Sequence, residues 1–260
     1  MTGVIAWTFF RHEFWTLLKS RKSQTMGLIL IYALAAVPFL LKHPPPEVVE
    51  AVESWFNNGS TFVVFLFVWI DLALNKTVVL LGAILSAGIV VDERARNILT
   101  LYLSKPIRKE TYFASKTVAA ALVFAWWYAF TAIVGALTLP YRVEGFQPAT
   151  FLAVSAIHLF AGTFAVCLSA TLAQSFERRL SAFLASMLVI MLLVGLAFLP
   201  FYNRDLWVVG ALNPFYHAIS VFGELDNLNY GHVISRILLL LGWNIAILGF
   251  GIRRVAAREI

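Results

Sequence analysis

Long apolar runs, separated by short charged or proline-bearing breaks, make up most of this chain. The runs do not alternate at period two, so they predict helices rather than the strands of a barrel. Crossing about 30 Å of hydrocarbon takes about 20 apolar residues in a helix. By that measure six spans are expected, over about 26–41, 72–91, 117–139, 148–173, 180–201 and 233–252. The first stops at Lys42-His43-Pro44-Pro45-Pro46 and the third at Pro140. The second sits in a longer run, Thr61–Val91, which as one helix would measure about 46 Å. Asp71, Asn75 and Lys76 interrupt that run, so Thr61–Ile70 is expected to be an outer extension hugging the interface.

Two stretches break the apolar pattern in an informative way. In Val4–Lys19 the residues Trp7, Phe10, Phe14, Leu17 and Leu18 recur at helical spacing, with Thr8, Arg11, His12, Thr16 and Lys19 largely opposite. This predicts an amphipathic helix over about 3–20, lying in the interface plane. A signal peptide is disfavoured, because aromatic residues precede the first apolar run and no small-residue cleavage site follows it. The second stretch is a charged island, Asp92–Lys116, with six Lys/Arg and three Asp/Glu between two apolar runs. Its position requires water at a membrane surface. Yet its centre carries Ile98, Leu99, Leu101, Tyr102 and Leu103, an apolar strip that asks for a surface to bury against. Ser104-Lys105-Pro106 ends that short helix, since a residue before proline is biased out of the α region.

Composition then settles the class. Apolar residues are 60 %, charged residues 13 % and mean hydropathy +0.81, against about 45–50 % and about 25 % in an ordinary globular domain. Lipid must be the solvent, and its backbone demands leave an all-α integral membrane protein. No internal repeat or Ser/Gly-rich linker divides it, so residues 1–260 are read as one domain. Placing the N-terminus, the island, 174–179 and the C-terminus on one side gathers fifteen of the 20 Lys/Arg there. Both termini are therefore expected in the cytoplasm. The net charge of +6 is then a matter of topology and calls for no nucleic acid.

With those residues in view, the stretch VDERARNILTLYLSKPIRKETYFASK resembles the cytoplasmic signature of ABC-2 type transporter permeases. The likeness rests on Asp92-Glu93-Arg94, Leu99–Leu103, Ser104-Lys105-Pro106 and Ser115-Lys116, with Asn97 where many members carry a small residue. Leu212-Asn213-Pro214-Phe215-Tyr216-His217 resembles the short outer re-entrant segment found before the last span in that family. The resemblance implies a transmembrane subunit of an ATP-driven exporter in a prokaryotic plasma membrane, working as a homodimer or heterodimer. It also implies that the island is a coupling helix docking on a separate ABC ATP-binding subunit, with Glu93, Arg94, Leu99, Leu101 and Leu103 as contacts. ATP and Mg would be bound on that partner, and no cofactor on this chain. Consistently, the sequence contains no G-x-x-x-x-G-K-[ST] loop.

Polar groups at membrane depth are the remaining candidates. Asp71 and Asn75 lie one helical turn apart beside Lys76, marking either a pathway or an outer interface where Lys76 snorkels. His158 and Asn244 are expected to make inter-helix hydrogen bonds rather than hold a ligand. Gly82, Ser86 and Gly88 predict close helix packing, and Trp126, Trp127, Tyr128 and Phe130 a packed core. Catalysis finds little support: there is no HExxH or G-x-S-x-G, and His158 is the single histidine deep in a span. One cysteine and five dispersed histidines give no metal-ligand spacing. The chain is thus read as no enzyme itself. A self-contained multi-span carrier or a membrane-assembly factor is the alternative from a different class.

Overall fold

A computed structural model describes residues 2–40, 44–56, 59–70, 76–95 and 107–257. Among the described residues every regular element is a helix. The chain opens with α1 (Thr2–Leu18), α2 (Arg21–Leu40), α3 (Pro46–Phe56), α4 (Thr61–Leu66) and α5 (Lys76–Ala95). Then come α6 (Lys109–Thr138), α7 (Pro148–Ala173) and α8 (Arg179–Tyr202). Two short helices, α9 (Trp207–Ala211) and α10 (Pro214–Ile219), lead into α11 (Tyr230–Ala256).

The helix boundaries follow local chemistry. Pro148 at the first turn of α7 loses no bond, because the leading N–H groups of a helix have no intrahelical acceptor. Asn229 caps α11, its Oδ1 accepting from the Gly231 N–H at 2.8 Å. Pro140, in a 3-10 turn over Leu139–Tyr141, closes off α6. The turn into α7 passes through Gly145 at φ +68°, a left-handed conformation that a side chain would strain.

α7 is the axis of the bundle, packed by α5, α6, α8 and α11. Of its most apolar stretch 67 % is buried, against 11 % in α11, which lies on the periphery. Four helices are long and apolar enough to cross a membrane: α6 with its terminal turn, α7, α8 and α11. A fifth crossing, or a re-entrant loop, comes from Arg204–Ala211 and Pro214–Leu225, which meet at a bend of 109°. Six spans were expected, and by length and composition among the described residues four to five are present. The shortfall lies in α2 and α5, of 20 residues each. Arg21 and Lys22 occupy the first turn of α2; Lys76 opens α5 and Asp92, Glu93 and Arg94 close it. α5 thus has a short apolar centre between charged ends, whereas α2 is charged only at its start.

Two elements differ from the sequence expectation. Thr61–Ile70 does not hug an interface. Phe62, Val63, Phe65, Leu66, Trp69 and Ile70 are all buried in the main core, because every face of this short helix is apolar and each finds protein. Ser60 caps it, accepting from the Val63 N–H at 3.4 Å. α3, between the first two expected spans, was not anticipated, and it is a helix with Val52 and Phe56 buried. Its signals were Pro46 and Glu47 in the first turn and an i, i+4 apolar pair.

Candidate functional site: the roots of the charged island

The charged island begins in the last turn of α5, at Asp92, and ends in α6, at Lys116, and the two residues line one cleft of about 420 Å³. Its walls also take Glu13 and Leu17 from α1, Lys22 from α2, and Leu85, Gly88 and Ile89 from α5. The two ends of the island thus lie at the same place. Two sets of charges hold the place together.

The first set is buried. Lys116 Nζ lies 3.0 Å from Glu13 Oε2, with both side chains less than 10 % exposed. The ammonium also sits 5.2 Å from the centroid of the Tyr112 ring. One turn earlier on α1, Phe9 stacks on Tyr112 at 5.6 Å, and Ile107 packs on both. α1 is in this way fastened to the first turns of α6 by an ion pair and an aromatic stack. Breaking such a pair strands a charge away from water, so the two helices are strongly held in register.

The second set is half-exposed. Asp92 Oδ2 lies 3.7 Å from Lys22 Nζ and 3.5 Å from Arg179 Nη1, joining the ends of α2, α5 and α8. Gly88 makes the meeting feasible: a Cβ there would come within 2.8 Å of Asp92 Oδ2 and 3.1 Å of Arg179 Nε. Gly88 was expected to serve helix packing, and its role here is to leave room for charges. Gly82, by contrast, faces Val166 of α7, and Ser86 donates to the Gly82 carbonyl at 2.5 Å.

The sequence-predicted contacts fall at the edge of this region. Glu93 and Arg94 belong to the last turn of α5. Leu99, Leu101 and Leu103 lie outside the described residues, as do Asp71 and Asn75, while Lys76 is the first residue of α5. Glu13 was missed by sequence reasoning. The signal was there: Phe9, Glu13 and Leu17 recur every four residues, which places a carboxylate in an apolar row. The buried face of α1 is accordingly turned toward Phe9 and Glu13, leaving Trp7 and Trp15 exposed.

The other polar candidates divide. Asn244 does bond between helices, donating to Phe160 O at 3.0 Å and to Leu240 O at 2.8 Å. His158 bonds within its own helix, to Val154 O at 3.0 Å. Of the aromatic group on α6, Tyr128 is buried and Trp127 donates to Ser23 Oγ at 2.8 Å, lying so close over Gly27 that a Cβ would sit 2.6 Å from its ring. Trp126 and Phe130 face outward instead of into the core, on a stripe with Leu122, Ile133 and Leu137. No group of His, Cys, Asp and Glu among the described residues is arranged to hold a metal ion.

The sequence pattern of the ABC-2 family transporter proteins matches residues 50–252, well over half of the chain. The chain belongs to the ABC-2 transporter family. It is a permease of that family, an integral multi-pass membrane protein. Against individual curated proteins it has no significant match. The matched range spans everything from α3 into α11, and with it both roots of the island at Asp92 and Lys116. The ion pair to Glu13 links this family core to α1, which precedes it.

Proposed function

We propose that this permease is the membrane subunit of an ATP-driven exporter and that residues 92–116 are its lever. The ATP-binding subunit is a separate polypeptide that grips the island through Glu93, Arg94, Leu99, Leu101 and Leu103. The observation that carries this reading is the common cleft of Asp92 and Lys116, which roots the two ends of the island on α1, α2, α5 and α8 together. A push on such an excursion acts on several helices at once. α2 and α5 complete the transmembrane set as the first and second of six spans, with the cations of their first turns snorkelling to the surface. α1 lies in the interface as an elbow, both termini face the cytoplasm, and two permease subunits pair around the path. The lever transmits work because its partner's closure favours one of two arrangements of these helices.

Leu101→Asp tests the assignment. The substitution should weaken co-purification of the ATP-binding subunit while leaving membrane insertion unchanged. Complex formation and ATP-dependent transport that both survive it would show that the island is no coupling element.

A further inference from the structure

Behind the re-entrant bend, the interior holds three polar atoms that the protein does not satisfy. His158 donates from Nδ1 to Val154 O, so its Nε2 must accept, and among the described residues nothing donates to it. Ser155 sits one turn earlier on the same face of α7, its hydroxyl also without a partner. Tyr128 reaches from α6 to the Ser155 hydroxyl, though the two oxygens do not meet in hydrogen-bond geometry. All three residues are at most 2 % exposed. Buried polar groups in folded proteins are almost always met, by ordered water if not by protein, and leaving them unmet costs free energy. Two hydroxyls and a bare imidazole lone pair, gathered between two packed helices, call for one guest.

The bent segment Pro214–Leu225 packs against this group. The Phe222 ring lies 5.7 Å from His158 and also packs against Phe56 and Phe67. Two residues on, Glu224 Oε1 accepts from Arg236 Nη2 at 2.6 Å, and Oε2 lies 3.5 Å from the exposed His232 ring. Arg236 Nη1 is a further buried polar atom with no partner. Polar groups therefore continue from His158 to the surface, interrupted by one aromatic ring.

We propose that Tyr128, Ser155 and His158 form a buried site for a small neutral molecule that both donates and accepts hydrogen bonds, water in the resting protein. Phe222 is the stopper of this site and the Glu224–Arg236 pair its latch. The site opens on the side away from Asp92, a statement that rests on the orientation proposed above.

Thiol accessibility in intact cells tests this. Cys167→Ala removes the one cysteine of the chain, and Ser155→Cys then reports the site to a membrane-impermeant methanethiosulfonate. Labelling should be slow, and Glu224→Gln should speed it at least about tenfold, the effect of about 1.4 kcal/mol on an opening equilibrium. Asp205→Cys, exposed at the same end, should label fast in either background. No acceleration by Glu224→Gln overturns the latch, and Ser155→Cys labelling as fast as Asp205→Cys overturns the closure. His158→Cys repeats the comparison should Ser155→Cys fail to reach the membrane. Asp205→Cys that labels only in inverted vesicles sinks the orientation and leaves the site to be probed from that side. The guest has its own readout in the Tm of Tyr128→Phe. A hydroxyl solvated by a guest gives an equal or lower Tm when removed; a rise means that the hydroxyl was dry and overturns the guest.

Discussion

One end of this permease is held by charges and the other by aromatic rings, and α8 runs between them. At its start Arg179 reaches Asp92, beside Lys22 and the Glu13–Lys116 pair. At its finish Phe201 lies 5.4 Å from Phe56, and Tyr202 5.8 Å from Trp55, in a cluster that also takes Phe67, Phe198 and Phe222. Ring packing is short-ranged and depends on shape, so a displaced element loses it abruptly. Ion pairs fall off slowly with distance and respond to salt and to the charges of a partner. The charged end is the one a soluble partner can address by degrees. The aromatic end holds its shape until it is driven.

The sharpest way to break this contrast is Glu13→Ala. It removes the carboxylate 3.0 Å from a Lys116 ammonium that is 4 % exposed, and breaking a buried pair costs about 3–5 kcal/mol. Thermal unfolding of the purified permease in detergent, followed by tryptophan fluorescence, should show a large fall in Tm. Adding Lys116→Met should restore part of it. An unchanged Tm would mean that the charged end owes little to its buried pair.

At the aromatic end, Phe56→Ala removes a ring that meets Phe67, Phe201 and Phe222 within 6 Å. The expected cost is about 3–4 kcal/mol, and it should be the same at low and high salt. A marked salt dependence would mean that the acidic face of α3, Glu47 and Glu50 among it, holds this end as much as the rings do.

The two ends were unequally legible in the sequence. The island announced itself by contrast, because charge between apolar runs is a one-dimensional signal. Its roots did not, since the Glu13–Lys116 pair joins residues far apart in the chain, and only the four-residue row of Phe9, Glu13 and Leu17 hints that the carboxylate turns inward. The aromatic end was harder. Phe56, Phe67, Phe201 and Phe222 come from four separate segments, and an apolar run reads the same whether it meets lipid or protein. That ambiguity explains why Thr61–Ile70 was placed at the interface and proved to be core, and why Trp126 and Phe130 were placed in the core and face outward. Between helices in lipid there is no hydrophobic contrast to tell the two environments apart. The spans of α6, α7, α8 and α11 were plain, because length and composition decide them.

The smallest effect is the one that separates an addressable end from a merely charged one. In Asp92→Asn the pairs with Lys22 and Arg179 are lost, but the three side chains are 32–41 % exposed and both cations approach the same oxygen from 3.5 Å or more. Exposed pairs of that kind contribute at most about 1 kcal/mol. The Tm of the parent should fall slightly with added salt, and that of Asp92→Asn should fall less, because screening has one exposed cluster fewer to weaken. Stability is then nearly untouched, while the root of the island has lost its charged tie to α2 and α8. If the island is a lever, ATP hydrolysis by the partner should continue at close to the parent rate while transport per ATP falls. If Asp92→Asn instead costs as much stability as Glu13→Ala, the root is a rigid anchor. The charged end would then be built like the aromatic one, only from different parts.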